Sequence, residues 1–329
     1  MKNNVLVTGG LGFIGSNLSR ELMNKGYRVW VVDDYSNSKL DPEDFFKTPV
    51  RNLVSALSRY YDVQTDPKSP KIVFIEADFN HDAILERISS GFFRKVFHLA
   101  AKPRVEWSVQ NPMEATDENF NKSLKLAIAC ATGNCRLIFS STSAVYGNTG
   151  ELPSTENSKT APTSPYGLSK LCCEQYFELF ENLYGLDWVA LRYFNAYGPG
   201  QDGSSPYSTA VSSWCSKAIK GESLRKDGDG SQSRDLVHVS DIVSANICVS
   251  EAELNEEKVF NVGLGKSYTN NYILEKFSSR GYTQITEASE REGDVKHTLA
   301  NIDKLRALGW EPNVGFEEGL ESVFDYWGL

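Results

Sequence analysis

Tyr166 and Lys170 are the two residues whose types and spacing point most directly to chemistry. A separation of four places both side chains on one face of a helix, one turn apart. Pro165 suits the first turn of a helix, so Tyr166 would lie near the positive end of the helix dipole. A free phenol ionises near pH ~10, and an ammonium group or a helix N-terminus favours its ionised form. The pair predicts a tyrosine that takes a proton from a substrate hydroxyl, although the same spacing also occurs on exposed helix surfaces.

A glycine-rich segment after the first predicted strand fits a dinucleotide site. Gly10, Gly12 and Gly15 satisfy Gly-x-Gly-x-x-Gly, and Gly9 adds a wider glycine repeat. Such glycines permit a tight turn and a close approach of the backbone to a pyrophosphate at a helix N-terminus. Asp33 ends the second predicted strand, about 20 residues further on, where a carboxylate binds ribose hydroxyls and repels a 2′-phosphate. The pattern therefore predicts NAD rather than NADP.

Short apolar segments that alternate with helical patterns would position these residues. The predicted strands are 4–7, 28–32, 71–76, 95–98, 136–140 and 187–194, and helical patterns include 14–24 and 122–131. Strands that are apolar on both faces and alternate with helices predict a parallel sheet covered on both sides. The fold class is therefore α/β, with a doubly wound, Rossmann-type sheet.

The character of the chain changes after Asn195, where glycine- and proline-containing loops begin. We expect residues 1–194 to form the NAD-binding domain, with a returning segment near 235–263. Residues 195–329 would form a smaller, interleaved C-terminal lobe that binds the substrate over the carboxyl edge of the sheet. A polar excursion between 34 and 71 carries a short helical patch at 52–60, and helical patterns recur at 208–220 and 316–327.

Composition limits the classes of protein to which the chain can belong. Its 329 residues, 40% hydrophobic and 23% charged, are typical of a globular enzyme. A net charge of −9 without a basic segment argues against a nucleic-acid partner. No apolar segment approaches the ~18 residues of a membrane span, and the first is too short for a signal peptide. Six cysteines without a Cys-x-x-Cys pair predict a reduced, cytoplasmic protein with no metal site.

Eight short segments occur in the order typical of one enzyme family and together span almost the whole chain. On these segments the chain resembles the extended short-chain dehydrogenase/reductase family, in its nucleotide-sugar epimerase branch. The segments are Thr8–Gly15, Ala77-Asp78-Phe79, His98-Leu99-Ala100-Ala101, Phe139-Ser140-Ser141-Thr142, Tyr166–Lys170, Arg192-Tyr193-Phe194-Asn195, Ser233-Arg234-Asp235 and Arg291-Glu292-Gly293-Asp294.

The resemblance implies an enzyme that uses resident NAD to invert C4 of a nucleotide-linked sugar. The substrate would be UDP-glucose, UDP-galactose or their N-acetyl forms, and the reaction would pass through a transient 4-keto sugar. Tyr166 would act as acid and base, Lys170 would hold the nicotinamide ribose and lower the tyrosine pKa, and Thr142 would orient the reacting hydroxyl. A homodimer would form through the two helices that begin near Asn119 and Tyr166.

The resemblance also assigns the other site residues. Those assigned to cofactor binding are Gly9, Gly12, Phe13, Ile14, Asp33, Asp34, Asn37, Ser38, Asp78, Phe79, Leu99, Ala100, Ala101, Asn119, Ser140, Tyr166, Lys170 and Tyr193. Those assigned to the substrate are Arg104, Thr142, Ser143, Asn195, Arg234, Arg291 and Asp294. The residue types suit these roles, because arginine forks bind diphosphates in a bidentate manner and carboxylates accept hydrogen bonds from ribose hydroxyls.

A few residues bear on the choice among related reactions. Ser143 and Ala144 stand where related dehydratases carry an acid pair and related decarboxylases a glutamate, so those reactions lack their acid–base groups here. If Arg104 faces the sugar, it could bind a carboxylate, and the enzyme could be a UDP-glucuronate 4-epimerase. If Arg104 contacts only phosphate or solvent, it does not discriminate between the substrates. Thr298 matches a position where a bulky tyrosine excludes N-acetyl groups, so a threonine leaves room for them. A non-catalytic NAD-binding sensor is the alternative of a different class, although such proteins typically lose the tyrosine or the lysine.

Overall fold

Parallel strands form the central sheet, and the described part of the chain contains eight of them. The computed structural model describes residues 3–38, 40–41, 51–52, 72–148, 150–205, 208–254, 256–289 and 295–329. The strands are β1 Asn4–Thr8, β2 Arg28–Asp33, β3 Arg51–Asn52, β4 Ile72–Glu76, β5 Lys95–His98, β6 Arg136–Thr142, β7 Trp188–Tyr193 and β11 Val259–Val262. Their order is β11–β7–β6–β5–β1–β2–β4–β3, and every neighbouring pair is parallel.

Helices cover both faces of this sheet. They are α1 Phe13–Asn24, α2 Asp82–Ser89, α3 Val105–Gln110, α4 Pro112–Thr116, α5 Lys122–Thr132, α6 Pro165–Tyr184 and α8 Val239–Glu251, with a π-helical turn at Asp117–Asn121 that leads into α5. Helix α1 packs against α8 on one side of the sheet, while α5 packs against α2 and α6 on the other. The helical layers explain why the strands are apolar throughout.

Successive side chains of one strand enter different cores, as the pleat requires. Val5 and Val7 of β1 lie in the core shared with α1 and α8, whereas Leu6 between them lies in the core shared with α5 and α6. All three side chains are fully buried. Each strand of a parallel sheet with two covered faces is therefore recognisable in the sequence as a continuous apolar segment.

The second half of the chain builds a smaller lobe around its own core. Its strands are β8 Asn195–Tyr197, β9 Leu224–Asp227, β10 Ser233–His238, β12 Ser267–Thr269 and β13 Ile285–Ala288, and its helices are α7 Ala210–Ala218, α9 Asn270–Ser278 and α11 Phe316–Trp327. The short helix α10 Asp303–Arg306 instead packs against β11, and its Leu305 lies in the core shared with α1 and α8. Strand β10 pairs with β8 in parallel and with β12 in antiparallel orientation, and β9 pairs with β13. Tyr197, Phe277 and Phe324 are fully buried in the lobe core.

The predicted doubly wound α/β fold is confirmed, and the predicted strands agree with the observed ones to within two residues at each end. The division at residue 194 stays a prediction; β11 and α8, which follow it in the chain, lie in the main sheet and in its helical layer. Of the helical patch at 52–60, Asn52 lies in β3 and the remaining residues lie outside the described part. No helix among the described residues is long and apolar enough to cross a membrane.

One buried carboxylate joins three pieces of the lobe. Asp235 is fully buried and accepts hydrogen bonds from the backbone N–H groups of Leu264, Gly265 and Ala300 at 2.7, 3.0 and 3.0 Å. Ala300 belongs to residues 295–302, which we call the C-terminal strap. Asp235 therefore holds the strap against β10 and against the turn after β11, beside the carboxyl edge of the main sheet.

Candidate active site

A cleft of about 840 Å³ lies over the carboxyl edge of the main sheet. Loops after β1, β2, β4, β5, β6 and β7 form one wall, while residues of the smaller lobe and of the C-terminal strap form the other. Strands β1 and β5 are neighbours, and the chain winds outward from them in both directions. Ligands of open α/β sheets bind at such a switch point.

The turn from β1 into α1 leaves no room for a side chain at Gly9 or Gly15. Gly9 has φ +65°, and a Cβ atom on it would lie 2.7 Å from the backbone nitrogen of Ala100. A Cβ atom on Gly15 would lie 2.2 Å from the carbonyl oxygen of Gly9. Helix α1 then begins at Phe13 without a side-chain cap or an acidic residue in its first turn. The turn therefore leaves N–H groups and a positive helix end for an anion, which fits the pyrophosphate of NAD.

Asp33 is held rigidly at the end of β2. Its Oδ2 accepts a hydrogen bond from Leu11 N and its Oδ1 accepts one from Tyr35 N, both at 3.0 Å. Burial raises the pKa of this carboxyl, and the two backbone N–H groups act in the opposite direction. Each oxygen retains lone-pair capacity for a further donor. A fixed carboxylate beside the glycine turn fits the ribose hydroxyls of NAD.

Tyr166 lies in the first turn of α6, as its sequence context predicts. Ser164 caps this helix by accepting a hydrogen bond from Gly167 N at 3.1 Å, and Pro165 occupies the first turn. The backbone N–H of Tyr166 donates to Ser108 Oγ at 3.3 Å. Thr142, the last residue of β6, hydrogen-bonds the phenol. The cap and the strand end therefore place the phenol and the threonine hydroxyl together.

Burial shifts the pKa values of the two central groups in opposite directions. It raises the pKa of Tyr166 to about 12, against the lowering effect of the hydrogen bond with Thr142. It lowers the pKa of Lys170 to about 8. The Lys170 Nζ lies 4.4 Å from the centroid of the Phe139 ring, and its side chain is almost fully buried. The expectation that Lys170 lowers the tyrosine pKa stays a prediction; in the protein alone, desolvation of the phenol outweighs the lowering effect of Thr142.

Most of the predicted site residues line the cleft. They are Gly9, Gly12, Phe13, Ile14, Asp33, Asp34, Asn37, Ser38, Asp78, Phe79, Leu99, Ala100, Ala101, Ser140, Thr142, Ser143, Tyr166, Lys170, Tyr193, Asn195 and Arg234. Their individual roles stay predictions. Arg291 and Asp294 lie outside the described residues.

Two predicted residues, Arg104 and Asn119, do not line the cleft. The Arg104 guanidinium instead pairs with the carboxylate of Glu106 at 3.1 Å on the surface. Asn119 is buried in the π-helical turn, where its amide accepts from Lys102 N at 2.8 Å and donates to Lys102 O at 3.2 Å. Asn119 therefore acts one layer behind the cleft, by fixing the backbone of Lys102.

The substrate side of the cleft is organised by the strap. Arg234 Nη1 donates to the carbonyl oxygens of Ser233 and Lys296, both at 3.0 Å. Thr298 Oγ1 accepts from Asp235 N at 3.0 Å and donates to Asn195 Oδ1 at 3.4 Å. The strap thus orients both a guanidinium and an amide that face the cleft.

Sequence reasoning missed other parts of the cleft wall. Lys102 lines the cleft and directly follows Ala101 in the sequence. Its position next to the segment His98-Leu99-Ala100-Ala101 could have been used to predict it as a site residue. Ser154 and Gln201 also line it, and both lie in irregular loops without a motif. No group of three or more metal-ligating side chains occurs among the described residues.

Comparison with known proteins gives a consistent result along the whole chain. The model of the NAD dependent epimerase/dehydratase family matches residues 5–263. A UDP-glucose 4-epimerase of Rhizobium meliloti is 33% identical, over 98% of this chain and 97% of that protein. The structure of a UDP-N-acetylglucosamine 4-epimerase from Methanobrevibacter ruminantium, in complex with UDP-N-acetylmuramic acid, is 39% identical with a TM-score of 0.85 and covers 99% and 98% of the two chains. That of a UDP-glucose 4-epimerase from Thermus thermophilus, in complex with NAD, is 30% identical with a TM-score of 0.81 and covers 99% of each.

Replacing Asp33 by serine tests the ribose end of the cradle. We expect the affinity for NADH to fall about ten- to hundredfold, because hydrogen bonds to a charged group contribute ~1.5–3 kcal/mol. The affinity for NADPH should fall less, since the carboxylate that repels a 2′-phosphate is gone. Isothermal titration calorimetry with both nucleotides measures the ratio, and equal losses for the two would contradict this role of Asp33.

Proposed function

Because the chain belongs to the NAD dependent epimerase/dehydratase family, we propose that it is an NAD-dependent nucleotide-sugar 4-epimerase that acts on UDP-linked hexoses. The observation that carries this proposal is the meeting of Thr142, Tyr166 and Lys170 in one cleft with the glycine turn and Asp33. An acid–base group beside a dinucleotide cradle suits oxidation and re-reduction of an alcohol. The enzyme class is accordingly isomerase.

Tyr166 is the acid–base group of the proposed mechanism. Its phenolate takes the proton of the sugar O4 hydroxyl and later returns it, so no net proton is consumed. NAD, held by the glycine turn and Asp33, would supply the acceptor for the C4 hydride and its donor to the opposite face of the 4-keto sugar. Thr142 orients the O4 hydroxyl and stabilises the phenolate through their hydrogen bond. Lys170, with a pKa of about 8, stays largely protonated at neutral pH and is assigned to the nicotinamide ribose.

Anchoring through the diphosphate permits the inversion. The 4-keto sugar must turn over inside the cleft without leaving, so binding free energy has to come from parts of the substrate that do not react. Arg234 and Asn195 are the described residues assigned to this anchor, and the strap orients both of them. Arg291 and Asp294 are assigned to it by family resemblance alone.

The residues around the sugar narrow the choice of substrate. Ser143 and Ala144 line the cleft beside Thr142, and neither can act as the acid or base that elimination or decarboxylation needs. Thr298 also lines it, which supports space for an N-acetyl group in addition to UDP-glucose and UDP-galactose. Arg104, the residue that favoured a UDP-glucuronate 4-epimerase, pairs with Glu106 outside the cleft. A neutral hexose or N-acetylhexosamine is therefore the preferred substrate.

The decisive measurement is chromatography after incubation of the protein with UDP-glucose, UDP-N-acetylglucosamine or UDP-glucuronate without added cofactor. We expect the C4 epimer to appear from one or both of the first two, because the phenol, the cradle and the anchor are all present. Tyr166→Phe should retain NAD and lose about a hundred- to ten-thousandfold in kcat, since acid–base catalysis contributes ~10²–10⁴. A wild-type protein that binds NAD and turns over no nucleotide sugar would instead support the non-catalytic sensor.

The hydrogen bond between Thr142 and Tyr166 gives a pH-dependent prediction. Because this bond lowers the pKa of Tyr166, Thr142→Val should raise it and shift the acidic limb of kcat to higher pH. At neutral pH a smaller fraction of the phenol is then ionised, and kcat should fall roughly tenfold. Thr142→Ser keeps the hydroxyl and should leave the limb in place. If the acidic limb of the pH profile of kcat has the same midpoint in Thr142→Val as in the wild type, the proposed effect of this hydrogen bond on the pKa of Tyr166 is contradicted.

We also assign the protein a homodimeric state. Leu168, Tyr176, Leu179 and Leu183 of α6 are 51%, 42%, 46% and 59% exposed and share one face of the helix, and Ile128 of the adjacent α5 is 49% exposed. Apolar faces of two neighbouring helices suit a four-helix bundle with a second copy, in which the same surface of each copy is used.

The double substitution Leu179→Arg/Leu183→Arg tests this interface. We expect the wild type to have twice the chain mass of 36.7 kDa and the variant to have the mass of one chain, because buried arginines would repel across the two-fold axis. Light scattering coupled to size exclusion measures both. Ile219→Arg, at an apolar side chain of the other lobe that is 49% exposed, is the matched control and should stay dimeric. A dimeric double variant would exclude this face.

A further inference from the structure

A buried ion pair lies directly behind the Tyr166–Lys170 pair. Glu174 follows Lys170 by one turn of α6, and its carboxylate binds Arg192 of β7 through Nη2 at 2.6 Å and Nε at 3.1 and 3.2 Å. Ser141, next to Thr142 in β6, donates its hydroxyl to the same carboxylate at 2.5 Å. Glu174 and Arg192 are 4% and 5% exposed. The pair therefore ties α6 to β6, which ends at Thr142, and to β7, which ends at the cleft-lining Tyr193.

The hydrogen bonds continue from this pair towards the other wall of the cleft. Arg192 Nη1 donates to the Tyr146 hydroxyl at 3.0 Å, and that hydroxyl donates to Asn261 Oδ1 at 2.6 Å. Asn261 belongs to β11 and is fully buried. We call Ser141, Glu174, Arg192, Tyr146 and Asn261 the buried polar chain.

Asn261 fastens two segments of the substrate side. Its amide nitrogen donates to the carbonyl oxygens of Ser154 and Asn301, at 2.9 and 3.1 Å. Ser154 and Asn301 are themselves joined, because Ser154 N donates to Leu299 O at 2.8 Å and Asn301 N donates to Ser154 O at 2.9 Å. Ser154 lines the cleft, and Thr298 next to Leu299 does so as well. The buried polar chain thus begins beside the acid–base residues and ends at the strap.

Stability alone gives a weak reason for such an arrangement. A buried ion pair loses hydration free energy that its attraction roughly offsets, so apolar side chains of similar volume often serve the fold equally well. A hydrogen-bonded chain has one property that apolar packing lacks: directional bonds of fixed length hold their partners at defined separations. In this cleft the separated parts are the acid–base residues and the wall that encloses the sugar.

We propose that Arg192, Tyr146 and Asn261 are positioning residues, which set the distance between the Thr142–Tyr166 centre and the strap that forms the opposite wall of the sugar pocket. This inference rests on the proposed epimerase function, because a sugar that turns over during the reaction must find O4 within reach of Tyr166 in both orientations. If the strap moved away from its position, the acid–base groups would stay intact but the sugar would bind in the wrong place. Misplacement by ~1 Å can lower a rate by about a hundredfold.

Tyr146→Phe is the first test, because it removes one hydroxyl from the middle of the chain and preserves the ring. We expect kcat to fall about ten- to hundredfold and KM for the nucleotide sugar to rise. Inhibition by UDP, which lacks the sugar, should stay unchanged, and so should the midpoint of the acidic limb of kcat. Those two constants separate a change in the sugar pocket from a damaged nucleotide site or an altered acid–base group. Because Tyr146 itself lines the cleft and Asn261 does not, the Asn261 variant below distinguishes a displaced wall from a lost contact between Tyr146 and the sugar.

Tyr197→Phe is the matched control. Tyr197 is a fully buried tyrosine of the lobe core, and its hydroxyl donates to Phe316 O at 3.4 Å, away from the buried polar chain. We expect it to lower the melting temperature to an extent comparable to Tyr146→Phe, with kcat and KM as in the wild type. If Tyr146→Phe behaves in the same way, with lower stability and unchanged kinetics, the chain has a structural role only and the proposal is overturned.

Asn261→Ala is the second test, at the end of the chain that contacts the strap. Asn261 does not line the cleft, so any change in KM acts through its partners. We expect the same pattern as for Tyr146→Phe, and wild-type kinetics in a folded variant would overturn the proposal.

A failure of the positioning proposal can be distinguished from a failure of the proposed epimerase function. If the wild type turns over no nucleotide sugar, the proposed epimerase activity is contradicted. The positioning role is then tested by calorimetry, which measures the affinity of each variant for UDP-glucose and UDP-N-acetylglucosamine. Weaker binding in Tyr146→Phe than in Tyr197→Phe then supports the positioning role, and equal binding overturns it.

Discussion

The parallel direction of the main sheet is the constraint on which the rest of the structure depends. Because every strand runs the same way, the carboxyl ends of β1, β2, β5, β6 and β7 meet at one edge. The glycine turn, Asp33, Thr142 and the end of β7 are thereby collected within one cleft, although long segments of chain separate them. Parallel strands require helical crossovers, and the helices α1 and α6 bring a positive N-terminus and the Tyr166–Lys170 pair to that edge.

Burial sets the electrostatics of the cleft more strongly than charge pairing does. The pKa of the Tyr166 phenol is raised to about 12 and that of the Lys170 ammonium is lowered to about 8, so desolvation pushes both groups towards their neutral forms. Thr142 partly offsets this for the phenol through one hydrogen bond. A site of this kind is poised for a reaction in which charge appears only when its ligands are in place.

Several residues act on the cleft from the layer behind it. Asn119 clamps the backbone of Lys102 from the π-helical turn, Asp235 holds the strap, and Asn261 joins the strap to the loop after β6. Each of these side chains is buried and hydrogen-bonded to backbone groups, and Asn261 also accepts a hydrogen bond from the Tyr146 hydroxyl. Their common effect is to convert irregular loops into walls of defined position, on which the proposed rotation of the sugar within the cleft depends.

The sequence by itself determined what is local. The apolar strands, the glycine turn with Asp33 at its expected distance, and the proline-led turn that carries Tyr166 and Lys170 each depend on spacing within one element or one β–α–β unit, so periodicity and residue type suffice to predict them. Tertiary structure decided the direction of Arg104, the place of Asn119 behind the cleft, and the bond from Tyr146 to Asn261 across 115 positions of sequence. Such contacts depend on the register of strands and on how loops pack over them. A local residue pattern does not encode that register. Residues far apart in the sequence come into contact only after the sheet has formed and the loops have packed over it.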